Sequence, residues 1–94
     1  MSGYQVMTIA MNVTLDAMAG TKTVLVSCPS GATVLSGYIY RVPGGVRHPF
    51  PPGVDWAGWP TPNNPNQWTF MLRNANGSGY ADPIEAGVVC ANMN

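Results

Sequence analysis

The chain has 94 residues, a formal net charge of zero, and only four Lys or Arg and four Asp or Glu side chains. Its charged fraction of 9% is far below the roughly 25% of a typical globular protein. This composition argues against nucleic acid binding, which needs a basic face, and favours association with other proteins. The length predicts a single domain over residues 1–94.

The start of the chain does not have the features of a signal peptide. Residues 1–5 contain no basic side chain, and the apolar residues that follow alternate with Thr and Asn and do not form a block. No run reaches the roughly 18 apolar residues of a membrane span. We therefore expect a protein with no membrane partner that is made and kept in the cytoplasm.

The first two predicted strands come early in the chain. Apolar residues occupy every second position from Met7 to Leu15, which predicts a half-buried strand. Such a strand near a terminus can add to the sheet edge of a neighbouring protein. Residues 16–22 predict a turn, and residues 23–28 predict a second strand whose apolar face ends in Cys28.

The third predicted strand covers residues 32–42 and has Pro/Gly turn signals on both sides. Strict alternation places Val34 and Tyr38 on one face of this strand and Ile39 on the other. Tyr40 is predicted on the face of Val34, and Leu35 on the face of Ile39.

Two further strands are predicted near the end of the chain, over residues 67–74 and 84–91. Trp68, Phe70 and Leu72 share a face in the first, and Cys90 belongs to the apolar face of the second. No segment has a clear helical period. The strand count predicts an all-β fold, either a small β-sandwich or a partly open barrel, with one long Pro/Trp-rich loop and with Cys28 and Cys90 adjacent in the core.

The long loop is predicted for residues 43–66, which hold seven of the nine prolines, two of the three tryptophans and the single histidine. A loop of this length in a compact domain is uncommon and is usually functional. Tryptophan and arginine are enriched at interface hot spots. One hypothesis is therefore a contact surface for another protein subunit, formed by Arg47, His48, Phe50, Trp56 and Trp59. The alternative is that Trp56 and Trp59 fold back and cap an end of the sandwich.

The sequence contains no recognisable catalytic, cofactor or metal motif. There is no Gly-x-Ser-x-Gly elbow, and His48 between Arg47 and Pro49 is better interpreted as a loop contact than as a catalytic base. Glycine-rich nucleotide motifs are missing, and one histidine with two distant cysteines does not make a metal site. We expect no enzymatic activity, no cofactor and no metal.

The two cysteines permit one disulfide between Cys28 and Cys90. A reducing cytoplasm disfavours such a bond, although a particle released by lysis could oxidise later. The alternative is a pair of buried thiols that pack as small hydrophobic side chains.

Four motifs frame these cysteines: Cys28-Pro29-Ser30-Gly31, Val34-Leu35-Ser36-Gly37-Tyr38, Trp68-Thr69-Phe70-Met71-Leu72-Arg73-Asn74 and Val88-Val89-Cys90-Ala91-Asn92. The pattern covers roughly the last three quarters of the chain. It resembles a family of small β modules found in secreted actinobacterial proteins and in virion proteins of tailed bacteriophages. The chain departs from that family in lacking a glycine run after the second motif and in the longer segment before Trp68.

The resemblance, together with the scarce charge and the aromatic loop, implies a virion structural protein. The function we expect is that of a capsid decoration (minor capsid) protein that binds and stabilises the assembled shell. Its partners would be the major capsid protein, copies of itself in a homo-oligomer, or both. The rival hypothesis is a carbohydrate-binding (receptor-binding) module at a phage tail tip or on a cell surface, with aromatic rings stacked on the sugars of a glycan.

Overall fold

A computed structural model describes residues 3–92. Those residues form six β-strands and one short 3₁₀ turn, Pro43–Gly45, with no α-helix among them. The strands, in chain order, are β1 Gly3–Leu15, β2 Gly20–Ser27, β3 Ala32–Arg41, β4 Val54–Pro60, β5 Gln67–Asn74 and β6 Tyr80–Asn92.

The strands form two antiparallel three-stranded sheets. The first sheet has the order β1-β6-β3, and the second has the order β2-β5-β4. The two sheets pack against each other and do not close into a barrel. The predicted small β-sandwich is therefore confirmed.

The core lies between the two sheets and follows the period-two pattern of the strands. Phe70 and Leu72 of β5 and Val88 and Cys90 of β6 are completely buried. Cys28, directly after β2, is 5% exposed and continues the buried face of that strand. The faces predicted for β2, β5 and β6 are confirmed.

Strand β3 departs from the predicted alternation. Its register with β6 shifts between Val34 and Ser36, so that a β-bulge adds one residue to β3. Val34 and Ile39 are consequently both buried in the core, at 8% and 2% exposure, whereas Tyr38 faces the opposite side. The prediction that Val34 and Tyr38 share a face is wrong, because the extra residue reverses the alternation beyond the bulge.

Strand β4 lies within the segment predicted to be one long loop. It pairs with β5 from Val54, opposite Asn74, to Pro60, opposite Trp68. Proline is tolerated here because β4 is an edge strand. The irregular segment over residues 43–66 is therefore divided by a strand that the sequence did not predict.

Strand β1 is only half covered by the second sheet. It pairs with β6 at every residue from Gly3 to Leu15. Val13 and Leu15 near its end are 2% exposed, but Met7 and Ile9 on the same face are 36% and 37% exposed. The predicted half-buried strand is thus buried only in its second half, and the first half projects beyond the core.

Candidate functional site

Arg47 lies on the outer face of the first sheet, where it stacks on two tyrosines. Its guanidinium carbon is 5.1 Å from the ring centre of Tyr38 and 5.6 Å from that of Tyr40, a cation–π geometry. Arg47 Nε also donates to Glu85 Oε1 at 2.7 Å. This hydrogen bond, more than any other contact, raises the pKa of Arg47 above its ordinary value. The side chain is positioned by its neighbours although it is 54% exposed.

Two further residues of the predicted loop, His48 and Phe50, hold this segment against the sandwich. The backbone of His48 pairs with that of Arg41, with N–O distances of 2.8 and 3.2 Å. Phe50 packs against the core, with its ring centre 6.2 Å from that of Tyr80. Phe50 is therefore a packing residue, and the structure places it away from Arg47 and its tyrosines.

Trp56 and Trp59 lie on opposite faces of β4, because they are three residues apart on a strand. Trp56 is opposite Leu72 on the core-facing side, and its ring centre is 5.9 Å from that of Phe70. It remains 44% exposed at the edge of the sheet. Trp59 is opposite Thr69 on the outer side and is 37% exposed. The two tryptophans do not share one surface.

The five residues proposed for the interaction loop are therefore distributed over the molecule. Arg47 is on the outer face of the first sheet, and Trp59 is on the outer face of the second. His48 is paired with Arg41, Phe50 packs against the core, and Trp56 lies beside Phe70.

Trp68, which was not singled out as a loop or site residue, joins the two sheets at their β3–β4 side. Its indole lies between Gly37 of β3 and Gly58 of β4, and a Cβ at either glycine would be 2.6 Å from Trp68 Nε1. Glycines inside strands are the sequence signal for such a close approach. The buried Nε1 has no hydrogen-bond partner among the residues that the structure describes.

The outer face of the first sheet is largely apolar. Tyr4 and Val6 of β1 are 77% and 56% exposed, and Tyr40 of β3 is 37% exposed. Within residues 3–92, Glu85 is the only charged residue that the three strands present on this face, and it is held by Arg47. The face therefore carries exposed apolar surface with its charges already paired.

The outer face of the second sheet is mixed, with Leu25, Met71 and Trp59 exposed among Thr, Ser and Gln side chains and the Asp55–Arg73 pair. Leu25, Thr69 and Trp59 form one row across β2, β5 and β4. Leu25 is 50% exposed, and Met71 in the next row is 40% exposed. The sandwich thus has apolar surface on both of its broad sides.

A shallow cavity of about 230 Å³ lies beside Trp56. Its lining consists of Asp55, Trp56, Ala57, Met71 and Arg73. Arg73 Nη2 is 3.9 Å from Asp55 Oδ2, and both side chains are well exposed. Asp55, Ala57, Met71 and Arg73 occupy the outer positions of β4 and β5, whereas the Trp56 ring packs towards Phe70.

A disulfide joins Cys28 to Cys90 and so links the end of β2 in one sheet to β6 in the other. Their Cα atoms are 5.9 Å apart, and both residues are buried. The predicted adjacency of the two cysteines in the core is confirmed, and the structure has the bridge in place of two thiols.

Residues 3–92 contain no group of three or more His, Cys, Asp or Glu side chains that could hold a metal ion. In the same part of the chain, no helix has the length and apolar character needed to cross a membrane.

Comparison with known proteins found no significant match among protein-family models, curated proteins or solved structures. Three features of the structure therefore bear on function: the exposed apolar side chains on both faces, the cavity beside Trp56, and the disulfide.

Proposed function

We propose that the protein acts by binding other proteins and not by catalysis, as a capsid decoration (minor capsid) protein of a tailed bacteriophage. It would bind the assembled shell through the major capsid protein and reside in the virion. The observation that carries the binding role is the apolar surface on both broad sides of the sandwich, with few charges. The step from a binding protein to a capsid protein rests on the resemblance of its cysteine-framed motifs to phage virion modules.

The arrangement of the charges supports binding because few unpaired charged side chains would lose their hydration when these faces are buried. On the first sheet, Glu85 already accepts a hydrogen bond from Arg47 at 2.7 Å. On the second sheet, Asp55 and Arg73 lie near each other at one end of the face. Burying apolar area then contributes roughly 25 cal/mol per Å² before the entropic costs of association.

The shape of the molecule supports contact with two neighbours at once. The principal dimensions are 49 × 30 × 17 Å, so the two apolar faces are separated by a thin body. A flat protein with binding surface on both sides can fill the space between adjacent shell subunits. A protein in this position would stabilise the shell without any conformational change.

The disulfide supports the proposal that the protein functions in oxidising surroundings, outside a reducing compartment. Disulfides persist in oxidising surroundings, including virion surfaces, and Cys28–Cys90 is buried where it fastens the two sheets together. A decoration protein on a released particle would meet this condition.

The direct test is to purify phage particles from the source and to determine where the protein sediments and in how many copies. We expect a high and fixed copy number on the head. A few copies at the tail, or none on the particle, would contradict the proposal.

A second test uses recombinant protein added to shells that lack it. Leu25→Glu and Trp59→Glu place charge on the outer face of the second sheet and should reduce binding; the melting temperature should change little in Leu25→Glu, because Leu25 is 50% exposed. Ser30→Glu, in an exposed turn away from both faces, is the matched control and should bind normally. Equal binding by all three variants would exclude this face as the footprint.

A carbohydrate-binding module, at a tail tip or on a cell surface, is the second candidate, and the cavity beside Trp56 favours it. The cavity is lined by Trp56, which is 44% exposed, and by Asp55 and Arg73, and sugar hydroxyl groups need polar partners of this kind. A glycan array with the isolated protein is the discriminating experiment. Binding that is lost in Trp56→Ala but kept in Leu25→Glu would favour the sugar module over the capsid role.

A further inference from the structure

Strand β1 has one paired edge and one free edge. It stands at the end of the first sheet, and β6 pairs with it at all thirteen positions. Among residues 3–92, no strand pairs with its other edge. On a free edge, the N–H and C=O groups of alternate residues point away from the sheet and can pair with another strand.

The sequence of β1 contains none of the features that protect natural edge strands. Such strands carry charges, prolines or bulges that block pairing with another chain. Between Gly3 and Leu15 there is no charged residue and no proline. The register with β6 is also continuous, so no bulge bends the strand.

The other three edge strands each have at least one of these features. Strand β2 carries Lys22, and β4 carries Asp55 and ends at Pro60. Strand β3 is bulged, and near its end its backbone is bonded to His48. In the described part of the chain, β1 is therefore the one edge strand without such protection.

Both faces of the first half of β1 are exposed and apolar. Tyr4 and Val6 project on the outer face, at 77% and 56% exposure. Met7 and Ile9 project on the face that the second sheet leaves uncovered, at 36% and 37% exposure. A strand added at this edge would cover apolar surface on both sides of the sheet.

We propose that β1 pairs antiparallel with β1 of a second copy of the chain, so that two first sheets join into one six-stranded sheet. An antiparallel pair of identical strands is self-complementary about a two-fold axis. The second copy supplies an edge that is equally free of charge and proline, so that no charge is buried unpaired. This inference goes beyond the proposed function, because the pairing is a property of the isolated chain.

The symmetry determines how the two sandwiches are arranged. A two-fold axis between antiparallel strands of one sheet is perpendicular to that sheet and keeps each face on its own side. Both second sheets then lie on the same side of the joined sheet, and Met7 and Ile9 of the two copies line the space between them. Tyr4 and Val6 of both copies extend the apolar outer face on the other side.

The size of the contact predicts a reversible dimer. One pair of strands buries less than the roughly 800 Å² per partner of a standard protein interface. The dimer should therefore form and dissociate with concentration, and sedimentation velocity measured over a wide concentration range will show it.

The variant test places a charge on the edge strand. Val6→Lys should weaken dimerisation by about tenfold or more, because two lysines would be brought together at the contact. Thr8→Lys adds the same charge on the same strand without removing apolar surface, and it should have the same effect. The matched control is Leu25→Lys, since Leu25 is 50% exposed but lies on the second sheet; it should dimerise like the parent. Circular dichroism confirms that each variant is folded.

Amide hydrogen exchange separates pairing at the edge from association of the faces. If the edges pair, amides in residues 3–10 gain protection as the concentration rises. A parent protein that stays monomeric at all concentrations would overturn the inference and leave the proposed function to its own test. So would a dimer that persists in both Val6→Lys and Thr8→Lys, or that forms without added protection in β1.

Discussion

The ring of Tyr38 lies over Gly87, its partner in register on β6. A Cβ atom at position 87 would overlap the phenol ring. The same ring carries the guanidinium of Arg47 at 5.1 Å, and Arg47 is hydrogen-bonded to Glu85. The position of the arginine on the outer face therefore depends on the absence of a side chain at position 87.

Gly87→Ala should displace Tyr38 and loosen the Arg47 stack. Forcing a methyl group into a filled site typically costs about 1–3 kcal/mol of unfolding free energy, which urea denaturation measures. Gly77→Ala is the control, because a Cβ there would meet nothing within 4 Å. An unchanged stability of Gly87→Ala would show that the ring moves aside freely.

Asn74→Asp should destabilise the protein strongly. Asn74 is fully buried, and its Nδ2 donates to the carbonyl oxygens of Asp16 at 3.2 Å and Ser78 at 2.9 Å. A carboxylate would face both carbonyls without a donor, at a cost of about 3 kcal/mol. Burial and the two carbonyl oxygens would raise the pKa of this carboxyl above its unfolded value. Protonation returns one donor, so part of the loss should be recovered as the pH falls through the raised pKa, and the recovery should be complete below about 4.

The comparison for this variant is Asn12→Asp, at an exposed position on β1, measured by thermal unfolding at pH 7 and pH 3.5. Equal melting temperatures for the two variants at pH 7 would contradict the role of Asn74 in binding the turns that contain Asp16 and Ser78.

Reduction of the disulfide should lower the unfolding free energy by about 4 kcal/mol by the chain-entropy relation, since the bridge joins residues 62 positions apart. This is a large part of the roughly 5–15 kcal/mol that stabilises a typical domain. Urea unfolding with and without reductant measures the difference. The double variant Cys28→Ala, Cys90→Ala should unfold like the reduced protein and be insensitive to reductant. A parent protein equally stable in both conditions would contradict the expectation.

Tyr80 should make the protein less stable at alkaline pH. Burial, aided by the nearby Asp82 carboxylate, raises the pKa of its hydroxyl above the ordinary value of 10.0. The unfolded chain therefore releases this proton at a lower pH than the folded chain. The stability contributed by the neutral hydroxyl is complete below pH 10 and is lost as the pH rises through the higher folded pKa.

Tyr80→Phe should remove the part of the alkaline loss of stability that comes from this hydroxyl. Unfolding curves at pH 7 and pH 11 would show the difference. At pH 7 the variant should lie within about 1 kcal/mol of the parent, because the buried hydroxyl has no hydrogen-bond partner among residues 3–92. Tyr4→Phe, at a position 77% exposed, is the control and should leave the alkaline loss in place.

The sequence predicted the sandwich and most of its core because β2, β5 and β6 each have apolar residues at successive alternate positions, which face the core. It did not predict the bulge in β3, since that bulge depends on how Val34 and Ser36 pair with β6, far away in the chain. It did not predict β4 either. Gly58 and Pro60 are typical of turns, and β4 is a strand because β5 pairs with it and Trp68 packs against Gly58.

The candidate contact surface was predictable in composition but not in arrangement. The tryptophans and the scarce charge were evident in the sequence, and both faces of the sandwich carry few charges and some exposed apolar side chains. The grouping of Trp56 with Trp59 depended on a loop conformation, and a strand separates residues three apart onto opposite faces. The stack of Arg47 on Tyr38 was also hidden, because the register of β3 with β6 is needed to place Tyr38 over Gly87.

The continuous pairing of β1 with β6 places Gly3 directly opposite Asn92. A short peptide linker could therefore join residue 92 to residue 3 while the exposed turn at Gly77 supplies new termini, which is a circular permutation of residues 3–92. Such a permutant would keep both sheets and the Cys28–Cys90 bridge. It would also place a linker at the start of β1, next to the edge that we propose for self-association, so that one variant would change both the order of the strands along the chain and the access to that edge.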